Sequence, residues 1–294
     1  MKANKGAFYI ILAGICWGMI GLFSTRLSDY GCSAVEITFL RSAVTAVCLW
    51  GWLIFRDRKK LKISWKDIWM FLGTGMLSIV MFNIFYFITI ELTTLSVAAI
   101  LLYTAPFFVL LLSMLFFGEK LTVRKGAALC IAMAGCVCTT GILDGGAGGA
   151  VSAIGILTGI GSGIGYALYT IFGNMALKKY DTLTVTAYTF FVAAVSLLPF
   201  AGTGACNALT RGGTVIGNTL AIGFLSTLLP FLLYTRGLKT TEPGRAAVMA
   251  FVEPMVATLI SVFILHEPMT VWGVVGVAAI FLSIVLLNVG ENKK

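Results

Sequence analysis

A single carboxylate interrupts the apolar segment AAVMAFVEPMVATLISVFIL, which covers residues 246–265. Glu253 lies near the middle of this segment and is followed at once by Pro254. An ionised side chain at the centre of a bilayer costs about 2.5–3.5 kcal/mol, and the proline frees the helix carbonyl four residues earlier, at Ala250. The pair is therefore typical of a polar site inside a membrane protein. Either Glu253 binds a cationic substrate group or a coupling proton, or it is a neutral acid that donates a hydrogen bond to a neighbouring helix.

Arg41 is a second charged residue inside an apolar segment. It lies eight residues beyond Ser33, which is roughly 12 Å into a helix that rises 1.5 Å per residue. Its guanidinium can bind a substrate carboxylate through two parallel hydrogen bonds. It can also pair with Glu36 or extend its charge towards the membrane surface, and we favour such a structural role.

Other polar or aromatic side chains inside apolar segments are candidates for the wall of a small-molecule pocket. They are Trp17, Asn83, Tyr86, Tyr103, Tyr166, Tyr169, Ser226 and Tyr234. Helix packing is the commoner role for each one alone, but as a set they favour a substrate with an aromatic or apolar part. We predict no catalytic residue, metal ligand or cofactor, because no HExxH motif or pair of intramembrane aspartates occurs.

The glycine-rich stretch GIGSGIG (159–165) resembles a phosphate-binding loop but lacks the Lys-Ser/Thr ending. Gly155, Gly159 and Gly163 recur every four residues, which predicts close packing between helices.

The composition predicts an all-α integral membrane protein. Hydrophobic residues make up 59% of the 294 residues and charged residues 11%, whereas a soluble domain carries about 25% charged residues. A membrane helix needs roughly 20 consecutive apolar residues. Ten such runs predict ten transmembrane helices, at 7–25, 33–55, 68–90, 95–117, 122–141, 152–173, 182–201, 214–235, 244–265 and 270–289.

The net charge of +9 reflects membrane topology rather than nucleic-acid binding. The loop RDRKKLKISWK (56–66) carries six basic residues, and alternating the loops from there places 18 of the 21 Lys and Arg on one side. Basic loops face the cytoplasm, so both termini are predicted to be cytoplasmic, in a multi-pass protein of the cell membrane. Membrane lipids are expected partners; whether the chain is a monomer or a dimer stays open.

The chain contains an internal repeat with an offset of 148 residues. Residues 86–123 and 234–271 share ten of 38 positions, including Pro106 with Pro254 and Glu119 with Glu267. We predict two repeats, residues 1–143 and 150–290, with helix kinks at the two prolines and the two glutamates capping the start of the next helix. Because each repeat has five helices, the second is inverted in the membrane, an arrangement found in secondary transporters.

Several motifs resemble the EamA-type branch of the drug/metabolite transporter superfamily. They are WG in the first helix, LRSA in the second, and LLYTAP…FFGE with its second copy FVEP…ILHE. His266 departs from this pattern, where the family usually has glycine before the glutamate. The resemblance implies ten helices, a central cavity between the repeats, and transport of small organic metabolites, often outward.

These observations together predict a secondary transporter that moves amino acids or related compounds by alternating access. Export is the expected direction, with proton coupling or exchange as possible modes. An enzyme is not expected. A lipid-handling or scaffold protein is the alternative, and its mark would be a lateral opening or a partner surface, neither of which the sequence indicates.

Overall fold

The chain folds into long helices that are packed side by side. The computed structural model describes residues 2–145, 152–266 and 268–288, and in these ranges no residue forms a β-strand. Ten helices cross the molecule and are numbered α1 to α10 here. They are Lys5–Asp29, Ala34–Arg56, Trp65–Leu92, Leu95–Phe117, Val123–Thr139, Ala153–Leu177, Thr182–Leu209, Gly213–Leu238, Pro243–Phe263 and Val271–Asn288.

The ten predicted apolar runs each correspond to one of these helices, so the predicted fold class is confirmed. Nine of them include a stretch of at least 18 residues that is long and apolar enough to span a bilayer. The tenth, α5, has 17 residues, which cover about 25 Å at 1.5 Å per residue. One boundary was wrong: the seventh run was predicted to end at residue 201, but α7 continues to Leu209.

The principal contacts between the two five-helix halves come in related sets. Three contacts join a helix to its own counterpart: α2 packs on α7, α4 on α9 and α5 on α10. Two further sets are equivalent to each other: α3 packs on α6 and α7, and its counterpart α8 packs on α1 and α2. In the same way α4 packs on α6, and α9 packs on α1. Exchanging each helix for its counterpart five places along the chain reproduces the contacts, as two repeats related by a pseudo-two-fold axis require.

The crossing of α5 and α10 shows this relation at the level of single residues. Ser283 donates a hydrogen bond to the carbonyl of Ala128 at 2.7 Å, and Gly135 faces Gly276 so closely that a Cβ on Gly276 would lie 2.6 Å from the Gly135 carbonyl oxygen. With the offset of 148, Ser283 corresponds to Gly135 and Gly276 to Ala128. The two contacts are therefore equivalent, and the two helices run antiparallel.

Four helices are irregular near their middle, at corresponding places in the two repeats. Helix α4 is interrupted by a turn at Tyr103–Thr104 and α9 by a turn at residues 250–251, each just before the repeated proline. Helix α3 contains a π-helical segment at Gly73–Val80, and α8 contains one at Phe224–Leu228. Irregular backbone inside a membrane is tolerated where it faces protein or a cavity, so these segments point to the functional region.

Ion pairs cluster at the end that carries the basic loops, and Lys60–Asp181 and Asp67–Lys179 are among those that connect the two halves. Asp181, between α6 and α7, pairs with Lys60 at 3.1 Å and with Lys239 at 2.9 Å, and Asp67 pairs with Lys179 at 2.6 Å. Burial alone would raise the pKa of Asp181, but hydrogen bonds from Lys239 and Lys60 outweigh it and lower the pKa to about 2. Every ion pair found within the described ranges lies at this end of the molecule.

Glu119 joins the halves at the same end. Its carboxylate accepts a hydrogen bond from the backbone N–H of Gly244 at 2.9 Å and pairs with Lys125 at 2.8 Å. The next helix, α5, is capped instead by Thr122, whose hydroxyl accepts from the Lys125 N–H. The expectation that Glu119 caps the following helix is therefore wrong, because it caps the start of α9. Its counterpart Glu267 lies outside the described residues.

The glycines at positions 155, 159 and 163 pack α6 closely against its neighbours, which confirms their predicted role: Gly155 faces the end of α3 at Leu92, and the other two face α4. A Cβ on Gly159 would meet Leu101 at 2.3 Å, and one on Gly163 would lie 2.9 Å from the Leu101 carbonyl oxygen. All seven cysteines are free thiols, Cys32 and Cys206 among them.

Candidate functional site

A small cavity lies between α1, α3, α6 and α8, at the meeting point of the two halves. Its lining residues are Trp17, Ser78, Ile79, Phe82, Tyr166, Tyr169, Thr170, Phe231 and Tyr234. The space open to the centre of a water molecule is about 10 Å³, which is room for roughly one water. Six of the nine side chains are aromatic, so the cavity is enclosed by rings. Because it has room for only about one water, it is too small for a metabolite in this conformation.

The rings are held together by edge contacts. The ring centroid of Trp17 lies 5.1 Å from that of Phe231 and 5.2 Å from that of Tyr234, and the Tyr169 and Phe231 centroids are 4.9 Å apart. These separations fall in the range of favourable aromatic pairs. Trp17 and Tyr234 are both buried. The structure thus brings three predicted residues from α1, α6 and α8 into one wall.

The two buried tyrosine hydroxyls of this wall are each hydrogen-bonded to a threonine. Tyr169 shares a hydrogen bond of 2.7 Å with Thr235, and Tyr234 shares one of 2.9 Å with Thr170. A buried hydroxyl without a partner would cost about 1–3 kcal/mol. These bonds therefore fix the orientation of both rings and join α6 to α8.

Glu253 lies beside the cavity and is joined to it through Tyr166. The Tyr166 hydroxyl donates to the Glu253 carboxylate at 3.4 Å, and the Tyr166 ring packs on Phe82 with centroids 5.5 Å apart. Glu253 is partly buried. The carbonyl of Ala250, expected to be free because of Pro254, accepts from the backbone N–H of Glu253 at 2.9 Å. The expectation of an open carbonyl is therefore wrong, because the turn at 250–251 supplies a donor.

Arg41 is buried on α2 and carries the opposite charge. One of its terminal nitrogens lies 3.5 Å from the Asn83 side-chain oxygen, at the limit of a hydrogen bond, while its Nε has no partner in the structure. Asn83 is fixed by its own bond of 2.6 Å to the Ile79 carbonyl. Glu36 accepts from the Ser33 N–H instead. An arginine of the first repeat and a glutamate of the second thus both lie inside the protein, in membrane-spanning helices.

Two glycines of α1 set the position of Glu253. A Cβ on Gly18 would lie 2.7 Å from Val256 and 3.0 Å from the Glu253 carbonyl oxygen, and one on Gly14 would meet Val252 at 3.0 Å. Because these positions have no side chain, α1 lies directly against the turn of α9 that carries Glu253. The same contact brings the neighbouring Trp17 to the cavity.

The remaining candidates occupy different places. Tyr86 and Tyr103 do not line the cavity. Tyr103 lies in the turn that interrupts α4, with its ring 6.1 Å from that of Phe251.

Ser226 is fully buried in the π-helical segment of α8, and its hydroxyl has no partner; it also lies outside the cavity wall. Arg41 and Asn83 lie next to one another but not in that wall.

Sequence reasoning missed several lining residues, and Ser78 is the most informative of them. Residues 75–78 read GMLS and residues 223–226 read GFLS, so Ser78 is the counterpart of the candidate Ser226 at the offset of 148. That offset could have identified it. Phe82 and Phe231 carried no comparable signal, because phenylalanine in an apolar run is ordinary.

Comparison with known proteins assigns the family. The model of the EamA-like transporter family matches residues 4–141 and again residues 153–289. The chain belongs to the EamA-like transporter family. This confirms the resemblance to the EamA branch of the drug/metabolite transporters.

Relatives of this EamA-like transporter are described as transporters. An uncharacterized transporter of Archaeoglobus fulgidus is 27% identical over 92% of this chain and 94% of its own length. The uncharacterized transporter YxxF of Bacillus subtilis is 25% identical over 100% of the chain and 92% of its own. The uncharacterized inner membrane transporter YicL of Salmonella typhimurium is 20% identical over 100% and 98%.

A protein of known crystal structure has the same fold. It is 19% identical, with a TM-score of 0.80 over 99% of this chain and 98% of that one. Together with the apolar helices, these findings identify the EamA-like chain as a multi-pass membrane transporter.

Proposed function

We propose that this chain is a secondary transporter that exports a small organic metabolite, an amino acid or a related compound, by alternating access. The observation that carries the proposal is the pair of ionisable side chains inside the protein, the buried Arg41 on α2 and the half-buried Glu253 on α9, beside an aromatic cavity between the repeats. Membrane transporters built from inverted repeats bind substrates near the midplane between them. Arg41 suits a carboxylate, Glu253 suits an amino group or a proton, and the rings suit an apolar part.

The closed cavity supports alternating access, because a substrate can enter only after the helices move. Ion pairs hold the basic-loop end together. At the opposite end a polar pocket of about 240 Å³ lies between α5, α9 and α10, and Thr139, Thr258 and Thr270 are among its lining residues. These features suit a conformation that is closed towards the cytoplasm, in a cell-membrane protein whose two termini are cytoplasmic.

Glu253 is also the group that would couple transport to protons. A carboxylate that takes up a proton on one side and releases it on the other links the two movements, whereas an exchanger would use the same site for two solutes in turn. A dependence of export on the proton gradient would distinguish these modes.

The test is mass spectrometry of the medium around cells that overproduce the wild type, Glu253→Gln or neither. Glu91→Gln serves as a matched control, because Glu91 is an exposed acid at the end of α3. We expect a metabolite enriched by the wild type and by Glu91→Gln but not by Glu253→Gln. Equal enrichment by the wild type, Glu253→Gln and Glu91→Gln would support export but show that Glu253 is not needed for it. No enrichment by the wild type would refute export.

A further inference from the structure

Ser78 places an unpartnered hydroxyl in the wall of the aromatic cavity. Its side chain is fully buried, and its Oγ has no hydrogen-bond partner in the structure. It lines the cavity together with Trp17 and Tyr234. The hydroxyls of Tyr169 and Tyr234 in the same wall are satisfied by threonines. The hydroxyl of Ser78 is therefore free to form a hydrogen bond with a ligand, whereas the hydroxyls of these two tyrosines are already bonded.

The free hydroxyl lies in the π-helical segment of α3, where the hydroxyl of Thr74 is bonded to the Phe71 carbonyl at 3.2 Å. In the regular helices, Ser113 and Thr219 also have no hydrogen-bond partner. Ser42, Thr45 and Thr89, by contrast, donate to the carbonyl four residues earlier. This local bond is the usual way for a helical hydroxyl to be satisfied. In the π-helical segment of α8 the bond reaches five residues back, from Thr227 to Ile222. Ser78 makes neither bond, although it lies on a segment of the same type.

The second repeat also contains an unpartnered serine hydroxyl, that of Ser226, but this serine is not part of the cavity wall. It is the counterpart of Ser78 at the offset of 148, lies in the other π-helical segment, is fully buried and has no partner. It does not line the cavity. A buried unsatisfied hydroxyl is unfavourable for stability. Because Ser226 has the same side chain and the same type of backbone as Ser78 but lies outside the cavity, it is the matched control for changes at Ser78.

We propose that Ser78 binds the substrate and selects molecules that carry a neutral hydrogen-bonding group, such as a hydroxyl or an amide, on their apolar part. The group is neutral because the charges of the site, Arg41 and Glu253, are absent from the cavity wall, and an ion beside Ser78 would be buried without a counter-charge. The proposal rests on the proposed transport function and adds a specificity residue to it.

The first arm of the test measures whether Ser78 lies in the substrate path and needs no known substrate. Membranes with Ser78→Cys or Ser226→Cys are treated with aminoethyl methanethiosulfonate, and mass spectrometry follows each cysteine-containing peptide separately. Since modification requires access to the thiol, we expect the cysteine at position 78 to react about tenfold faster than that at position 226. Equal rates, or no reaction at position 78, would overturn the proposal.

The second arm measures selectivity with L-tyrosine and L-phenylalanine, which differ by one hydroxyl, as probes of transport into liposomes. One neutral hydrogen bond changes binding by roughly threefold to tenfold. We expect the wild type and Ser226→Ala to prefer tyrosine by about this factor and Ser78→Ala to lose the preference while its thermal stability is kept. An equal loss for both probes, or an unchanged preference, overturns the role of Ser78. A wild type that transports neither probe nor any exported metabolite refutes the proposed function itself.

Discussion

Gly276→Ala should weaken the contact between α5 and α10, which joins the two repeats. A Cβ at position 276 would lie 2.6 Å from both the Gly135 carbonyl oxygen and the Thr139 side chain, and 3.0 Å from the Thr139 backbone nitrogen. Two of these three atoms belong to the backbone of α5, so no side-chain rotation relieves the overlap. The helices must move apart, and the hydrogen bond from Ser283 to Ala128 at the same crossing is stretched.

The expected size follows from two opposing effects. Overpacking a close contact costs about 1–3 kcal/mol, and alanine gains up to about 1 kcal/mol over glycine in a helix. With the full gain from alanine, the net loss in the free energy of unfolding is about 0–2 kcal/mol, centred near 1 kcal/mol. Gly126→Ala is the matched control, because its Cβ would meet only Leu121, at 3.9 Å, and it should leave stability unchanged or raise it.

The assay is unfolding of the purified protein in mixed micelles with increasing SDS, followed by tryptophan fluorescence. A midpoint for Gly276→Ala clearly below that of the wild type, with Gly126→Ala at or above it, is the predicted order. If Gly276→Ala is as stable as Gly126→Ala, the close crossing of α5 and α10 is wrong.

Three further predictions concern the ends of the helices. Asp181 has its pKa lowered to about 2 by its two lysine partners, so its contribution to stability is present above the unfolded pKa near 4. That contribution should be lost as the pH falls towards 2, and Asp181→Asn should flatten this acid limb of a thermal-unfolding profile; an unchanged limb would contradict the pairing. Glu119→Ala leaves the buried Gly244 N–H without its acceptor and should cost about 1–3 kcal/mol in SDS unfolding, whereas no loss would refute the cap. Thr122 and Thr270 accept equivalent bonds at the starts of α5 and α10, so each change to alanine should cost a similar amount, about 1 kcal/mol; very unequal losses would contradict the repeat.

The ten helices were predictable because their signal is local. A long apolar run is required by the bilayer itself, and the repeated Pro106 and Pro254 identified the two halves. The π-helical segments were not predictable, because one extra residue in a turn leaves the apolar pattern of α3 and α8 unchanged. The extension of α7 to Leu209 was missed for a different reason, because residues 202–209 read GTGACNAL and no longer form a continuous apolar run.

The site was only partly predictable, because it depends on which face each helix turns towards the centre. Trp17, Tyr169 and Tyr234 were found as amphipathic residues inside apolar runs, and the structure does place them together. Ser226 was chosen by the same reasoning, yet its counterpart Ser78 lines the cavity instead. In an inverted repeat, equivalent positions have the same type of backbone but different neighbours. The offset of 148 therefore identifies the two equivalent serines but does not show which of them lines the cavity.

The central claim is that Glu253, beside Arg41, lies in the path of transport. Its most direct test uses purified protein in liposomes loaded with the metabolite that the wild type enriches in the medium, with efflux measured for the wild type, Glu253→Gln and Glu91→Gln. The account predicts that efflux through Glu253→Gln falls to the level of protein-free liposomes while Glu91→Gln matches the wild type. Wild-type efflux by Glu253→Gln at every pH tested would contradict it.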